Sequence, residues 1–356
     1  MFWAQSFNKK SVLCTLYSVL AILLVGCVKQ PAEQGSVPAG NKYATGFQIT
    51  VTDTGTVVEV FQPYQRVCVR EPMRRLGTMS TVQVGFLDAI DAIDCLAAVC
   101  NPELIYTPVK GDEIDLGDSM KPSAERVLQA GLDALLAVNY GQYDNLEAAR
   151  IEKLGVFTIY INEWQEESPL ARAEWIRVLG ALTGKLHEAD SIFNEVEKKY
   201  IGLTAQRSVS ENGLSAKRSI MSGNNFRGTW YVPSSKNYLA YLFKDARADY
   251  PFYDDQRETS IPLTIEETLR YFYDADVWVG AGGNSLAELA QLDEKHTWFA
   301  AYQNGRVYNW RKQTKAGGPN NFWERGVVHP EEMLEDIIHI LDNAPDSVLH
   351  FATHLQ

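Results

Sequence analysis

SPLARAEWIRVLGALTGKLHEADSIFNEVEKKY, running from Ser168 to Tyr200, is the stretch on which the fold turns. Ser168 can cap a helix whose first position, Pro169, has no N–H to satisfy. Beyond it Leu179, Leu182, Leu186, Ala189, Phe193, Val196 and Tyr200 recur at alternating spacings of three and four, and no proline interrupts Leu170 to Tyr200. A single apolar stripe means a helix laid across a surface. At 1.5 Å per residue it would span roughly 45 Å. The stripe lasts only about three heptads and stands alone, which is short for a coiled-coil dimer, so a monomer is expected.

On both sides of this segment short apolar runs alternate with helix-like ones. Before it lie a hairpin pattern from Phe47 to Val60, strand-like runs at Val67–Val69, Leu96–Val99, Leu135–Val138 and Val156–Ile161, and helical spacing at Ser80–Ile90, Ser123–Ala130 and Leu146–Leu154. After it comes a polar connection, Thr204 to Lys217. Strand-like Arg218–Met221, Val277–Val279 and Arg306–Tyr308 then interleave with helical Tyr238–Phe243, Thr264–Tyr273, Leu286–Leu292 and His329–Leu341. Strand–helix alternation builds a largely parallel sheet covered on both faces. The expected fold is therefore α/β, two Rossmann-like lobes (43–166 and 204–356), each with a central mixed or parallel sheet, joined by one long helix over 167–203. A length of 356 residues suits two such lobes.

The amino terminus reads as an address. Lys9 and Lys10 precede an apolar run that ends Leu24-Val25-Gly26-Cys27, the layout of a lipoprotein signal. Residues 1–26 are expected to be removed, Cys27 to carry lipid, and 27–42, small, polar and rich in Pro and Gly, to act as a tether. That implies a periplasmic body anchored to a bacterial membrane. Cys14 leaves with the signal. Cys68, Cys95 and Cys100 remain, an odd number that permits at most one disulfide, and buried apolar thiols are the expected state.

With 33 Lys+Arg against 45 Asp+Glu the chain is acidic and has no basic block, so no nucleic-acid partner is expected. It contains no G-x-S-x-G, H-E-x-x-H or P-loop pattern. None of the six histidines is spaced as a metal ligand beside a carboxylate cluster, so neither catalysis nor a resident metal or cofactor is expected. Gly280-Ala281-Gly282-Gly283 lacks dinucleotide spacing and reads as a tight turn at a strand end, where α/β sheets bind ligands. Aromatic residues in loops point to a large, planar or greasy ligand. The candidates are Tyr140, Tyr143 and Trp164 in the first lobe, and Trp230, Tyr231, Trp310 and Trp323 in the second. Arg227 and Arg311 are available for anionic groups. Trp175, Trp278 and Trp298 read as core. Glu125 and Glu266 each fall in the first turn of a helix, one per lobe, where the helix dipole favours a carboxylate in any case.

Taken in order, Arg74-Arg75-Leu76-Gly77-Thr78-Met79-Ser80, Ser123-Ala124-Glu125-Arg126-Val127-Leu128, Thr229-Trp230-Tyr231-Val232-Pro233, Asn321-Phe322-Trp323-Glu324-Arg325-Gly326 and His329-Pro330 resemble the periplasmic substrate-binding proteins of ABC importers for iron–siderophores, haem and vitamin B12. The resemblance covers nearly all of the chain after the tether. It implies two lobes on one long helix, a ligand cleft between them, and a glutamate in each lobe that docks on the permease, here Glu125 and Glu266. It implies a metal chelate as ligand, a ferric siderophore or haem, with a corrinoid as the alternative. A lipid-anchored hydrolase using Glu163 or Glu324 is the reading from another class. The sequence departs from the family at Ser234-Ser235, where relatives often carry paired glycines.

Overall fold

The computed structural model describes residues 40–139, 146–210 and 217–356. Cys27, the expected signal and tether up to residue 39, and Tyr140 and Tyr143 lie outside the described residues.

The chain opens with an antiparallel meander, β1 (Phe47–Thr52), β2 (Gly55–Phe61) and β3 (Tyr64–Val69). Val67–Val69 thus belongs to this meander and not to a parallel sheet. The parallel sheet of the first lobe comprises β4 (Leu76–Thr78), β5 (Leu96–Val99), β6 (Ile114–Asp115), β7 (Ala134–Ala137) and β8 (Thr158–Tyr160), in the order β6-β5-β4-β7-β8. All four pairings are parallel. Its helices are α1 (Thr81–Ala89), α2 (Ala124–Ala130) and α3 (Leu146–Lys153). The chain leaves β4 in one direction towards β5 and returns on its other side at β7, so the topological switch point lies at the carboxyl ends of β4 and β7. The Gln65 side chain on β3 donates to Thr158 O at 3.0 Å and accepts from Tyr160 N at 2.9 Å, which covers the free edge of β8.

The deciding segment folds as three helices. These are α4 (Pro169–Glu174), capped by Ser168 as expected, α5 (Ile176–Thr183) and α6 (Leu186–Ser210). One uninterrupted helix is therefore corrected. Gly184 takes φ +76°, a left-handed stop that glycine adopts freely, and Lys185 N closes the turn on Gly180 O at 2.7 Å. α6 then packs on α5 so tightly that a Cβ on Gly180 would lie 2.6 Å from Ala189 Cβ. The stripe itself is real. Leu179, Leu182, Ala189 and Phe193 enter the first lobe's core, while Val196 and Tyr200 enter the second's. α6 bridges the two cores, as α4 does through Ala173 and Leu170, and it continues to Ser210 through residues expected to be a loop.

The second lobe contains β9 (Ile220–Ser222), a small antiparallel sheet of β10 (Asn225–Phe226), β11 (Thr229–Val232) and β12 (Ile261–Leu263), then β13 (Val277–Val279), β14 (Val307–Asn309) and β15 (Thr353–His354). The main sheet runs β15-β14-β13-β9, parallel except at β15. Around it lie α7 (Tyr238–Asp245), α8 (Ile265–Phe272), α9 (Leu286–Leu292), α10 (Ala300–Gln303), α11 (Arg325–Val328) and α12 (Pro330–Leu341).

Two groups of buried carboxylates hold these parts together. Glu174 accepts from the amides of Lys42 (2.8 Å), Tyr43 (2.8 Å) and Ala44 (2.7 Å). Glu166 accepts from Thr45 N (3.0 Å), Gly46 N (2.8 Å) and Trp175 Nε1 (3.0 Å). Residues 42–46 are thus fastened to the helical linker, and Asn41 and Lys42 belong to the body instead of to the tether. Glu324 joins the lobes. It is 1% exposed and accepts from Tyr106 N and Thr107 N, both at 2.8 Å. Opposite it, Gly85 of α1 leaves room for the Glu324 carbonyl, which a Cβ would approach to 2.6 Å. Among the described residues the cysteines are all free thiols. Cys95 and Cys100 are buried, and burial pushes the Cys100 thiol up to about 12, but Cys68 is exposed, contrary to expectation.

Candidate functional site

At the first lobe's switch point, Ser80 caps α1 while Gln83 Oε1 accepts from Met79 N (2.9 Å) and Ser80 N (3.2 Å). Beside it Asn162 Oδ1 accepts from Asn139 N at 2.9 Å, which ties the loop after β8 to the loop after β7. The turn that follows carries Trp164, 42% exposed. Asn162 was not singled out from sequence, since a buried loop Asn has no distinguishing spacing.

The adjacent Glu163 is buried. Its Oε1 lies 3.8 Å from Arg172 Nη2, its Oε2 finds no partner among the described residues, and the Arg172 guanidinium rests 4.3 Å from the centre of the Tyr238 ring on α7. Burial raises the carboxyl above its ordinary range, and Arg172 opposes this only in part. A carboxyl raised by folding costs stability once ionised, so this contribution is absent below the unfolded value and grows as pH rises through the folded one. Glu163→Gln should therefore gain in melting temperature relative to the parent protein between pH 5 and pH 8. A difference constant with pH would contradict the assignment.

In the second lobe the strand carboxyl ends are knitted by two asparagines missed in the sequence. Asn224 Nδ2 donates to Gly280 O (2.8 Å) while its Oδ1 accepts from Gly282 N (2.6 Å), and Asn309 Nδ2 donates to Gly283 O (2.9 Å). The glycine turn is as tight as expected. Gly280 has φ +73°, and a Cβ there would meet Trp310 Nε1 at 3.0 Å.

Trp310 is only 8% exposed and stacks on buried Phe322 (4.9 Å, 9°), which in turn meets the edge of Trp323 (4.7 Å, 84°), itself 53% exposed. The three rings form a ladder from the core to the surface at the end of β14, with Phe322, which the sequence offered only as part of its loop motif, as the middle rung. Tyr231 is 47% exposed.

Trp230 is corrected to core. It is 1% exposed, its Nε1 donates to Ser222 O at 2.9 Å, and its ring packs with Trp278, His296 and Phe299. The alternation of β11 turns Trp230 inward and Tyr231 outward. Trp310, in direct contact with Phe322, supports the ladder from below. The departure at Ser234-Ser235 has a local role, because the two hydroxyls donate to Arg257 O (2.8 Å) and Asp255 O (2.5 Å). Arg311 donates to Asn284 Oδ1 at 2.8 Å, and exposed Arg227, at φ +52°, lies over the Phe226 ring at 5.1 Å.

Glu125 and Glu266 occupy matching positions. Ser123 caps α2 and Thr264 caps α8, and each glutamate is the second helical residue and exposed. The Thr264–Glu267 capping box leaves Glu266 unengaged by the cap, as the sequence indicated. Beside Glu266 an open groove is lined by Leu269, Arg270, Tyr273, Trp298 and Gln303. Trp298, expected in the core, is half-exposed there, since it closes a short 3-10 turn at the surface. No helix among the described residues is long and apolar enough to cross a membrane.

Residues 79–314 match the family described as periplasmic binding protein. An uncharacterised lipoprotein of Methanocaldococcus jannaschii is 23% identical over 288 residues, 77% of this chain; the alignment spans 66% of that protein's own length. Among solved structures, an ABC transporter substrate-binding protein of Listeria monocytogenes superposes with a TM-score of 0.57 at 16% identity, covering 77% of this chain and all of that one. A periplasmic haem-binding protein of Vibrio cholerae gives 0.56 at 15%, covering 73% of this chain and 97% of its own. A periplasmic vitamin B12 binding protein of the same organism gives 0.56 at 14%, covering 76% and 98%.

Proposed function

Since the chain belongs to the periplasmic binding protein family, we propose that it captures a metal chelate, a ferric siderophore or haem, outside the cytoplasm and delivers it to an ABC permease. The Trp310–Phe322–Trp323 ladder at a strand carboxyl end carries this reading, because it offers a supported aromatic face for a large flat ligand. Trp164 and Tyr231 add aromatic surface, and Tyr140 and Tyr143 are further candidates. Glu125 and Glu266 are the permease contacts, and lipid on Cys27 holds the body at the membrane. Catalysis has no support. Both Glu324 oxygens are taken by backbone amides, and the Glu163 Oε2 is buried without a partner among the described residues. A corrinoid is the second reading, favoured because Arg311 is engaged by Asn284 and Arg227 is folded over Phe226, which leaves less for an anionic ligand.

The test is a fluorescence titration of the full chain in detergent against haem, ferric siderophores and cobalamin, checked by calorimetry. One compound should saturate at one site, and Trp323→Ala should weaken it about tenfold, the equivalent of about 1.4 kcal/mol. No binding across the panel would overturn the chelate assignment.

A further inference from the structure

Three donor groups converge at the start of α12, although the histidine spacings gave no sign of it. His329 is the cap residue, and Glu331 and Glu332 are the second and third helical residues. The helix dipole accounts for carboxylates there. It does not account for Oε2 of Glu331, which is buried, in a residue 3% exposed, and has no hydrogen-bond partner among the described residues. A buried oxygen of this kind is costly unless something electropositive meets it.

Its neighbours supply ligands. Glu331 Oε1 lies 3.0 Å from His329 Nδ1, and one donor atom from each of His329, Glu331 and Glu332 falls within 4.8 Å of the others. Ligands at about 2.1 Å from a tetrahedral ion stand about 3.4 Å apart, so the donors would draw in by about 1 Å to close on one ion. Arg325 already grips Glu332 through two bonds, Nε to Oε2 at 3.0 Å and Nη2 to Oε1 at 2.6 Å. Both Glu332 oxygens are thus held by Arg325, which fixes the carboxylate's orientation, and each keeps a lone pair for an ion. Asp88 lies near enough to act on Arg325, so it adds a further carboxylate beside Glu331 and Glu332. The His329 and Glu332 side chains keep 16% and 17% exposure, which leaves a way in.

We propose that His329, Glu331 and Glu332 form a binding site for a divalent cation of the zinc or manganese type, distinct from any metal carried in the transported ligand. One imidazole nitrogen with carboxylate oxygens is a donor set for those ions more than for calcium or magnesium. The site stands where α11, whose Val327 and Val328 enter the first lobe's core, gives way to α12, which packs in the second. A bound ion would therefore fasten the crossing between lobes.

The full chain, untagged and stripped with chelator, is titrated with zinc sulfate alone by calorimetry and with cobalt(II) by visible absorption. One ion per chain is expected, with a rise in melting temperature. His329→Ala and Glu331→Gln should each weaken binding at least tenfold and abolish that rise, while circular dichroism stays unchanged. Should one variant fail to fold, Glu332→Gln replaces it. Absence of saturable binding, or affinity unchanged in the folded variants, overturns the site.

Discussion

Carrying Glu125→Lys and Glu266→Lys together, the protein should bind its ligand with unchanged affinity while cellular uptake falls by roughly a hundredfold or more. Both carboxylates are exposed at the second position of a helix, one in each lobe. Losing a favourable dipole interaction there costs only a few tenths of a kcal/mol each, so the fold should survive. Against a cationic partner surface, two attractions become repulsions, and like-charge contacts cost several kcal/mol. Ligand titration beside uptake in cells separates the outcomes. Weakened ligand binding would place the two residues in the pocket, and uptake at the parental rate would remove them from the docking surface.

Glu324→Ala should lower stability by about 3 kcal/mol. It leaves two backbone amides, of Tyr106 and Thr107, buried without an acceptor, and such groups cost about 1–3 kcal/mol each. For a chain of this size that corresponds to a melting temperature lower by roughly 4 °C. Glu324→Gln keeps one carbonyl acceptor and should lose about half as much. Scanning calorimetry of the three proteins gives the comparison. Equal melting temperatures would show that the contact between lobes is carried by α1 against α11 and not by the carboxylate.

The α/β architecture was legible in the sequence because apolar runs and helical stripes alternate over the whole body. The breaks were not. A stripe that stops at Thr183 and restarts in phase at Leu186 has the same periodicity as one continuous helix, and only Gly184 carried the signal. The central strand β4 was hidden because it is three residues long with a glycine in the middle. At the candidate site, residue type alone could not say which member of Trp230-Tyr231 faces inward, since both suit either face of a strand. The equivalence of Glu125 and Glu266 was legible because a cap and a first turn are local. The ladder through Phe322 and the cluster at His329 were not, because they depend on how loops and helix ends meet in space.

The grip of Glu166 and Glu174 on residues 42–46 has a mechanical consequence. Any pull arriving along the amino-terminal arm is resisted by those amide bonds and passed to the α4–α5 linker, which leaves the strand carboxyl ends of both lobes unloaded.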